Sequence, residues 1–286
     1  MNHIQHHFYG KFRLGWNKDY PDIRDYSLEN NEVSPFIVKE VKSSCFPEFG
    51  RIKVDLPIPR EQGVLGSCTA HAGTYIFEVH QRVANIGDEP MSRLFLYKVA
   101  RNLMGVEGDA GSFLRTTMQA IAMFGVPPES YYPYNVAKYD EEPSAFHYAM
   151  SQNYQALKYY RLDSYGSTPE KIIRRIKSNI LLNRACMFGF VVYGTDDKHG
   201  NILFPQKHQN FIGGHAGVAV AYDDNYIITH PDGQKTIGAF QFANWWGKSW
   251  GDNGFGWIPY QFVNMGIAVD WWTMMTTEWI DLSVFK

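Results

Sequence analysis

The sequence contains little cysteine, no excess of charge and no long hydrophobic run. Its three cysteines, Cys45, Cys68 and Cys186, are far apart and form no C-x-x-C pair, which argues against a disulfide framework and a zinc site. The 27 Lys and Arg residues are balanced by 29 Asp and Glu residues, so charge predicts no nucleic-acid partner. Because no run suits a membrane span or a Sec signal, we expect a soluble protein without a membrane partner. It would be cytoplasmic or exported by a route that needs no signal peptide.

The chain does contain the material for a large core. Of its 286 residues, 45% are hydrophobic and 16% are aromatic, which is typical of a globular protein with one large domain or two lobes. Helical periodicity dominates the first half, and strand patterns dominate the second half. This segregation predicts an α+β protein with two lobes, and a ligand cleft is expected at their interface.

The individual elements follow from hydrophobic periodicity, N-cap residues and glycine stops. Helices are predicted at 68–85, 92–103, 113–124 and 168–180, and strands at 186–193, 216–222, 226–230 and 238–244. Residues 130–155 are expected to form an irregular crossing between the lobes. A turn is expected at Asp223 and Asp224.

Residues 1–52 differ in composition from the main body at 53–286, whose helical lobe would span about 60–150 and whose β lobe would span about 156–270. The stretch 15–26 is rich in turn formers, yet it carries large apolar side chains. They are Trp16, Tyr20, Ile23 and Tyr26. Such a segment suits packing across another surface. It would serve either as a short propeptide that closes the cleft or as a permanent belt.

No metal site is predicted at the histidines near the N-terminus. His3, His6 and His7 are not accompanied by a carboxylate or a cysteine that would complete a ligand set. Cys45, in the extension, and Cys186, in a predicted buried strand, are expected to be structural.

Cys68 is the candidate nucleophile. It stands at the start of a predicted helix, where unpaired N–H groups and the helix dipole favour the thiolate. The alternative is a small buried cysteine that acts only as a hydrophobe. His215 follows two glycines at the start of a strand, and Asn244 ends a later strand. The order Cys, His, Asn is the order of a papain-type arrangement, in which folding brings the three together.

With these motifs the sequence resembles the papain-like cysteine peptidases, and it is most similar to their disulfide-free bacterial and viral branch. The resemblance covers about 54–272 and implies a papain-like fold, with a helical lobe, an antiparallel β-barrel-like lobe and the active-site cleft between them. Gln62, six positions before Cys68, matches the family's oxyanion glutamine. His215 matches the general acid and base, and Asn244 matches the residue that orients it. Trp246, in N-W-W-G-x-x-W-G, is expected to shield the Asn–His hydrogen bond.

The resemblance also implies substrate contacts. Asp109, Ala110 and Gly111 resemble the family's glycine-bearing wall, which pairs its backbone with an extended peptide. Gly214 and Ala216 fall where the family lines its main specificity pocket, and their small size favours an apolar substrate side chain.

Two positions depart from the common family pattern, and a third offers a second candidate base. Thr69 stands where many relatives have tryptophan, and Leu65 replaces a cysteine that usually forms a disulfide. His71, one helical turn after Cys68, is a rival base; packing on its own helix face is the alternative.

The activity implied by the resemblance is that of a cysteine endopeptidase. It would act as a monomer on peptide or protein substrates and would need neither a cofactor nor a metal. Two other functions remain open. The same residues would support acyl transfer to an amine, as in peptide ligases, and a third possibility is a non-catalytic peptide-binding module.

Overall fold

The structure is a computed structural model that describes residues 8–27, 46–205 and 208–279. Within these ranges it contains six α-helices and one short 3-10 helix at Val136–Lys138. The helices are α1 Cys68–Ala84, α2 Arg93–Met104, α3 Leu114–Phe124, α4 Ala145–Ser151, α5 Pro169–Leu181 and α6 Tyr260–Asn264. No described helix is long and apolar enough to cross a membrane.

The strands form a small hairpin and one large antiparallel sheet. They are β1 Phe8–Tyr9, β2 Phe12–Arg13, β3 Phe49–Arg51, β4 Tyr154–Arg161, β5 Cys186–Val192, β6 Gly213–Thr229, β7 Lys235–Ala243, β8 Phe255–Pro259 and β9 Ala268–Trp279. The large sheet has the order β4-β9-β5-β6-β7-β8, and β3 pairs with β6 beside this path. The predicted α+β class and the antiparallel lobe are confirmed. Among the described residues the strands follow an open path and do not close into a barrel.

Helix α1 lies between the two lobes and places Cys68 at their junction. It packs against α2 and α3 on one side and against β6 on the other. Its first fourteen residues are all buried, so the helix lies inside the protein and not on its surface. The helix ends at Asn85, whose left-handed backbone (φ 55°) closes the last turn.

The predicted turn at Asp223 and Asp224 is wrong, because both residues lie inside the continuous strand β6. The pairing with β7 only changes register between Asp223 and Ile227. Tertiary contacts explain the difference, since Lys177 Nζ donates to both carboxylate oxygens of Asp224, at 2.8 and 2.6 Å. A paired aspartate is tolerated in a strand that its propensity disfavours.

Other parts of the chain are more regular than expected. The stretch 130–155, predicted to be irregular, contains α4, which begins at a capping box between Ser144 and His147. A histidine replaces the usual Glu or Gln of that motif, so the signal was hidden. Strands β4, β8 and β9 were also missed.

The extension divides into two described parts. Residues 8–27 begin with the β1–β2 hairpin, and residues 46–52 contain β3, which joins the large sheet. Cys45, His3, His6 and His7 lie outside the described residues. Cys186 is buried in β5, and its burial raises the pKa of the thiol.

Candidate active site

Cys68 is the first residue of α1 and is fully buried. Burial raises the pKa of its thiol to about 11, because a charged thiolate is poorly solvated in the protein interior. Hydrogen bonds from the backbone N–H groups of Gly15, Ala216 and Thr69 act in the opposite direction. The thiol therefore sits among amide donors from the helix start, from β6 and from the extension.

His215 in β6 and Asn244, just after β7, are held side by side by their strands. The Nε2 atom of His215 lies 2.7 Å from Asn244 Oδ1, which also accepts from the backbone N–H of Trp245 at 2.8 Å. Since Asn244 Oδ1 is an acceptor, Nε2 carries the proton and Nδ1 of the neutral ring is left to accept one. In the described part of the chain His215 Nδ1 has no hydrogen-bond partner. Burial lowers the pKa of His215 to about 4.

The Trp246 ring covers this pair. It stacks on the His215 ring with centroids 4.8 Å apart and an interplanar angle of 27°, and its exposed fraction is 3%. Trp245 supports the arrangement from the other direction, because its Nε1 donates to Ala216 O at 2.8 Å. The two tryptophans thus keep water from the His215–Asn244 hydrogen bond.

Gln62, the predicted oxyanion donor, is fully buried and its side-chain amide already binds two carbonyls. Its backbone N–H donates to Trp245 O at 3.0 Å. Its side-chain Nε2 donates to Arg13 O at 2.7 Å and to Leu65 O at 2.8 Å. The amide that was predicted to hold an oxyanion therefore holds a peptide oxygen of the extension.

Residues 13–17 of the extension, which we call the cleft segment, lie extended between the two lobes. On the helical side, Ser112 N–H donates to Gly15 O at 2.9 Å and Ser112 O accepts from Asn17 N–H at 3.1 Å. This is a parallel bridge between Ser112 and Trp16. On the β side, Trp16 N–H donates to Gly214 O at 3.1 Å. The cleft segment thus has backbone partners on both walls of the cleft.

The three predicted residues of the helical wall all contact this segment. Asp109 forms a salt bridge with Arg13 at 2.7 Å, and Ala110 O accepts from Asn17 Nδ2 at 3.3 Å. A Cβ on Gly111, whose φ is +70°, would overlap the Gly15 carbonyl. A glycine is therefore needed for the chains to approach this closely. The backbone pairing itself is made by the next residue, Ser112.

The two predicted residues on either side of His215 differ in position. Gly214 borders the cleft segment, and its carbonyl accepts from Trp16 N–H. Ala216 is buried, its backbone N–H contacts the Cys68 thiol, and its carbonyl accepts from Trp245 Nε1. Gly214 therefore faces the pocket that holds Trp16, whereas Ala216 supports Cys68.

His71 and Thr69 also have clear partners. His71 Nδ1 lies 3.0 Å from Ser67 O, and its Nε2 lies 3.1 Å from Arg93 Nη1. Burial and the neighbouring Arg93 charge lower its pKa, so it is a packed residue of its helix. Thr69 hydrogen-bonds to the Ser112 hydroxyl and so supports the wall that pairs with the cleft segment.

The side-chain pocket around Trp16 was missed at the sequence level. Its indole lies against Gly189 and Gly214 and donates from Nε1 to Asp270 Oδ2 at 3.0 Å. Two signals could have indicated it: a glycine inside the apolar strand 186–192, and an aspartate between the apolar Val269 and Trp271. Among the described residues, no group of three or more His, Cys, Asp or Glu side chains could hold a metal ion.

Comparisons with known proteins agree with this geometry. Residues 52–274 match the family model described as papain family cysteine protease. The chain is 30% identical over 278 residues, 91% of its length and 85% of the relative's, to an uncharacterized peptidase C1-like protein, L477, of Acanthamoeba polyphaga mimivirus.

Solved structures give the same result for the fold. Xylellain, a cysteine protease from Xylella fastidiosa, is 27% identical, with a TM-score of 0.75 and coverage of 92% of this chain and 96% of xylellain. A procathepsin B from Trypanosoma congolense is only 15% identical, yet it superposes with a TM-score of 0.63 over 93% of this chain and 86% of its own.

Proposed function

This chain belongs to the papain family of cysteine proteases, and we propose that it is an endopeptidase whose nucleophile is Cys68. The observation that carries the assignment is the state of His215. Its Nε2 is fixed on Asn244 Oδ1, while its Nδ1 is buried without a partner in the described part of the chain. The residue after His215, Ala216, contacts the Cys68 thiol through its backbone N–H. A buried nitrogen that can accept a proton, on the residue next to one that contacts a thiol at a helix N-terminus, is what nucleophilic catalysis requires.

The reaction would proceed in two steps. In the first, the Cys68 thiolate attacks the substrate carbonyl carbon, and the oxyanion is held by Gln62 Nε2 and the Cys68 N–H. The His215 imidazolium gives its proton to the leaving amine, and a thioester remains on Cys68. In the second, His215 takes a proton from water, the hydroxide attacks the thioester, and the carboxylic acid leaves. The thiol is then regenerated.

The unsatisfied polar atoms at the site support this assignment. Four of the seven buried side-chain atoms that lack a hydrogen bond in the described chain belong to the site. They are Gln62 Oε1, His215 Nδ1, Asn244 Nδ2 and Trp246 Nε1. Buried polar groups are normally paired, and exceptions gather where a ligand or a reacting group is expected.

The second part of the proposal is that the cleft segment inhibits the enzyme. Gln62 contacts the carbonyl of Arg13, whereas the Cys68 thiol contacts the N–H of Gly15. A peptide bond about to be cleaved must present one carbonyl to both groups. The cleft segment presents different peptide groups to them, so it would occupy the cleft as an inhibitor and not as a substrate.

The nucleophile is tested in a full-length chain in which Trp16→Ala weakens the cleft segment. Adding Cys68→Ala should abolish hydrolysis of a fluorogenic peptide library and labelling by an epoxide thiol inhibitor, with an unchanged circular dichroism spectrum. Cys186→Ala is the matched control, because Cys186 is buried in β5, and it should retain both signals. Hydrolysis by the Cys68→Ala chain would refute the assignment.

Mass spectrometry with an added amine should show the acid product; an amide product would instead indicate acyl transfer.

A further inference from the structure

The Trp16 indole occupies a pocket whose walls lack side chains. A Cβ on Gly189 or on Gly214 would overlap the indole ring, and only 6% of Trp16 is exposed. Gly189 lies in the interior of β5, where glycine weakens a strand and usually marks a close approach of another group. The two glycines therefore form flat faces that fit a large bicyclic ring.

The floor of this pocket is a buried acid. Asp270 is 0% exposed. Its Oδ1 accepts from Trp272 Nε1 at 2.7 Å and lies 3.2 Å from Arg161 Nη1. Among the described residues, the only hydrogen bond to Oδ2 comes from the Trp16 indole. When Trp16 leaves, this oxygen is a buried acceptor without a donor, which is unfavourable unless the next occupant supplies one.

The occupant reaches the pocket from an extended backbone. The two residues that flank Trp16 both pair with Ser112, and Trp16 itself pairs with Gly214. The pocket is therefore a side-chain pocket for an extended peptide, of the type that gives specificity when backbone pairing gives affinity. A substrate that replaces the cleft segment would place one of its side chains there.

We infer that this pocket selects tryptophan in the peptide substrate, with the indole N–H read by Asp270 Oδ2 and the ring held between Gly189 and Gly214. The inference rests on the proposed protease function and replaces the expectation of a general apolar pocket. Phenylalanine would fit between the glycines but would leave Oδ2 without a donor. Lysine or arginine would bring a second cation beside Arg161, whose charge already faces the Asp270 carboxylate.

The size of the preference follows from that one hydrogen bond. A site built to bond a donor discriminates against an analogue that lacks the donor, because its own polar group is then left unpaired. For one buried acceptor we expect an effect of about 10- to 100-fold. The relevant analogue is 3-benzothienylalanine, which has the shape of tryptophan but no N–H.

The first measurement is binding to full-length Trp16→Ala, Cys68→Ala protein, whose pocket is empty and whose nucleophile is absent. The probes are blocked peptides with the sequence of residues 13–18, containing tryptophan, benzothienylalanine, phenylalanine or lysine at the position of Trp16. Tryptophan should bind at least about tenfold more tightly than the other three. Equal binding of tryptophan and benzothienylalanine, or tighter binding of lysine, would overturn the inference.

The second measurement is hydrolysis by full-length Trp16→Ala protein of peptides that vary each of the four residues before the cleaved bond. One position should prefer tryptophan over benzothienylalanine in kcat/KM, and Asp270→Leu should remove that difference. If Asp270→Leu does not fold, the analogue pair on the unaltered pocket still decides. Hydrolysis without a tryptophan preference would overturn the inference alone. If no peptide is cleaved while the binding difference persists, the protease assignment fails and the pocket stands.

Discussion

The two described parts of the extension contact the main body in different ways. The cleft segment, residues 13–17, lies between the two lobes and forms backbone hydrogen bonds with both walls of the cleft. Residues 49–51 form β3 and pair with β6 as a strand of the large sheet. In the proposed function, the first part therefore occupies the site where a substrate peptide would bind. The other part pairs with one edge of β6 at residues 221–223, whereas β7 pairs with the opposite edge.

The exposure of the side chains near the two parts also differs. Beyond the cleft, Tyr20 and Ile23 are largely exposed, at 72% and 102%. After β3, Ile52 is 2% exposed and its N–H donates to Val220 O at 3.1 Å. Propeptide and belt were alternatives for one extension. The contacts support the proposal that residues 8–27 act as the propeptide and residues 46–52 as the belt.

Removing the two parts separately should give the largest difference. A chain that lacks residues 1–27 should fold and hydrolyse peptides about 100-fold or more faster than the intact chain, because several hydrogen bonds and one buried indole no longer block the cleft. A chain that lacks residues 1–52 should be insoluble or unfolded, since it exposes the edge of β6 that pairs with β3 and the core beneath Ile52. Solubility, thermal melting and peptide hydrolysis measure the outcome. A stable, active product of the longer deletion would show that β3 is dispensable.

A single substitution should open the cleft without shortening the chain. A Cβ on Gly15 would overlap the backbone carbonyl of Gly66, and backbone cannot move aside as a flexible side chain can. Gly15→Val should therefore displace the cleft segment and raise hydrolysis about 10- to 100-fold, with a modest decrease in melting temperature because the contacts of the segment are lost. Lys18→Ala, at an exposed position just after the cleft segment, is the control and should behave as the intact chain.

The pH dependence of thiol labelling checks the same substitution. With the cleft filled, burial raises the pKa of Cys68 to about 11 and lowers that of His215 to about 4, so both groups are neutral between those values. Alkylation by iodoacetamide needs the thiolate. In the intact chain its rate should be low at pH 7 and rise towards pH 11. In the Gly15→Val chain the rate should level off at a lower pH, because water and the imidazolium stabilise the thiolate. Identical profiles would contradict an inhibitory cleft segment.

Local sequence signals were sufficient to predict where helices α1 and α2 begin. Helix α1 was predicted with its start at Cys68, and the structure has it at Cys68–Ala84. The N-cap serine of α2 was also predicted, and Ser92 does accept from Phe95 N–H at 3.2 Å. These features depend on residues within one or two helical turns. Hydrophobic periodicity and capping residues are therefore enough to predict these features.

The occupied cleft could not be predicted in the same way. The hydrogen bond from Trp16 to Asp270 joins residues 254 positions apart, and no periodic pattern connects them. The sequence did indicate that Trp16 belonged to a docking segment. It left open whether the segment closes the cleft or forms a belt, because the surface that receives Trp16 forms only when β5, β6 and β9 are paired. Long-range pairing also overrode the turn propensity of Asp223 and Asp224.

The smallest effect should come from the far end of residues 8–27, which an arginine on α3 holds. Arg115 Nε and Nη2 lie 2.7 and 2.8 Å from the two carboxylate oxygens of Asp25, and Nη2 also donates to Tyr20 O at 2.7 Å. Arg115→Ala should raise hydrolysis only about three- to tenfold. A partly exposed ion pair with good geometry contributes about 1 kcal/mol, and the backbone pairing in the cleft remains.

Arg24→Ala is the matched control for this anchor. Arg24 lies in the same stretch of the extension, but it is 85% exposed and its ion pair is with Asp22, within that stretch. It therefore does not tie residues 8–27 to the main body and should leave hydrolysis unchanged. Equal rates for the two variants would mean that Arg115 contributes nothing to closure. The cleft segment would then be held only by its own pairing with Ser112 and Gly214. The proposed inhibitory part would end at residue 17 and not at residue 27.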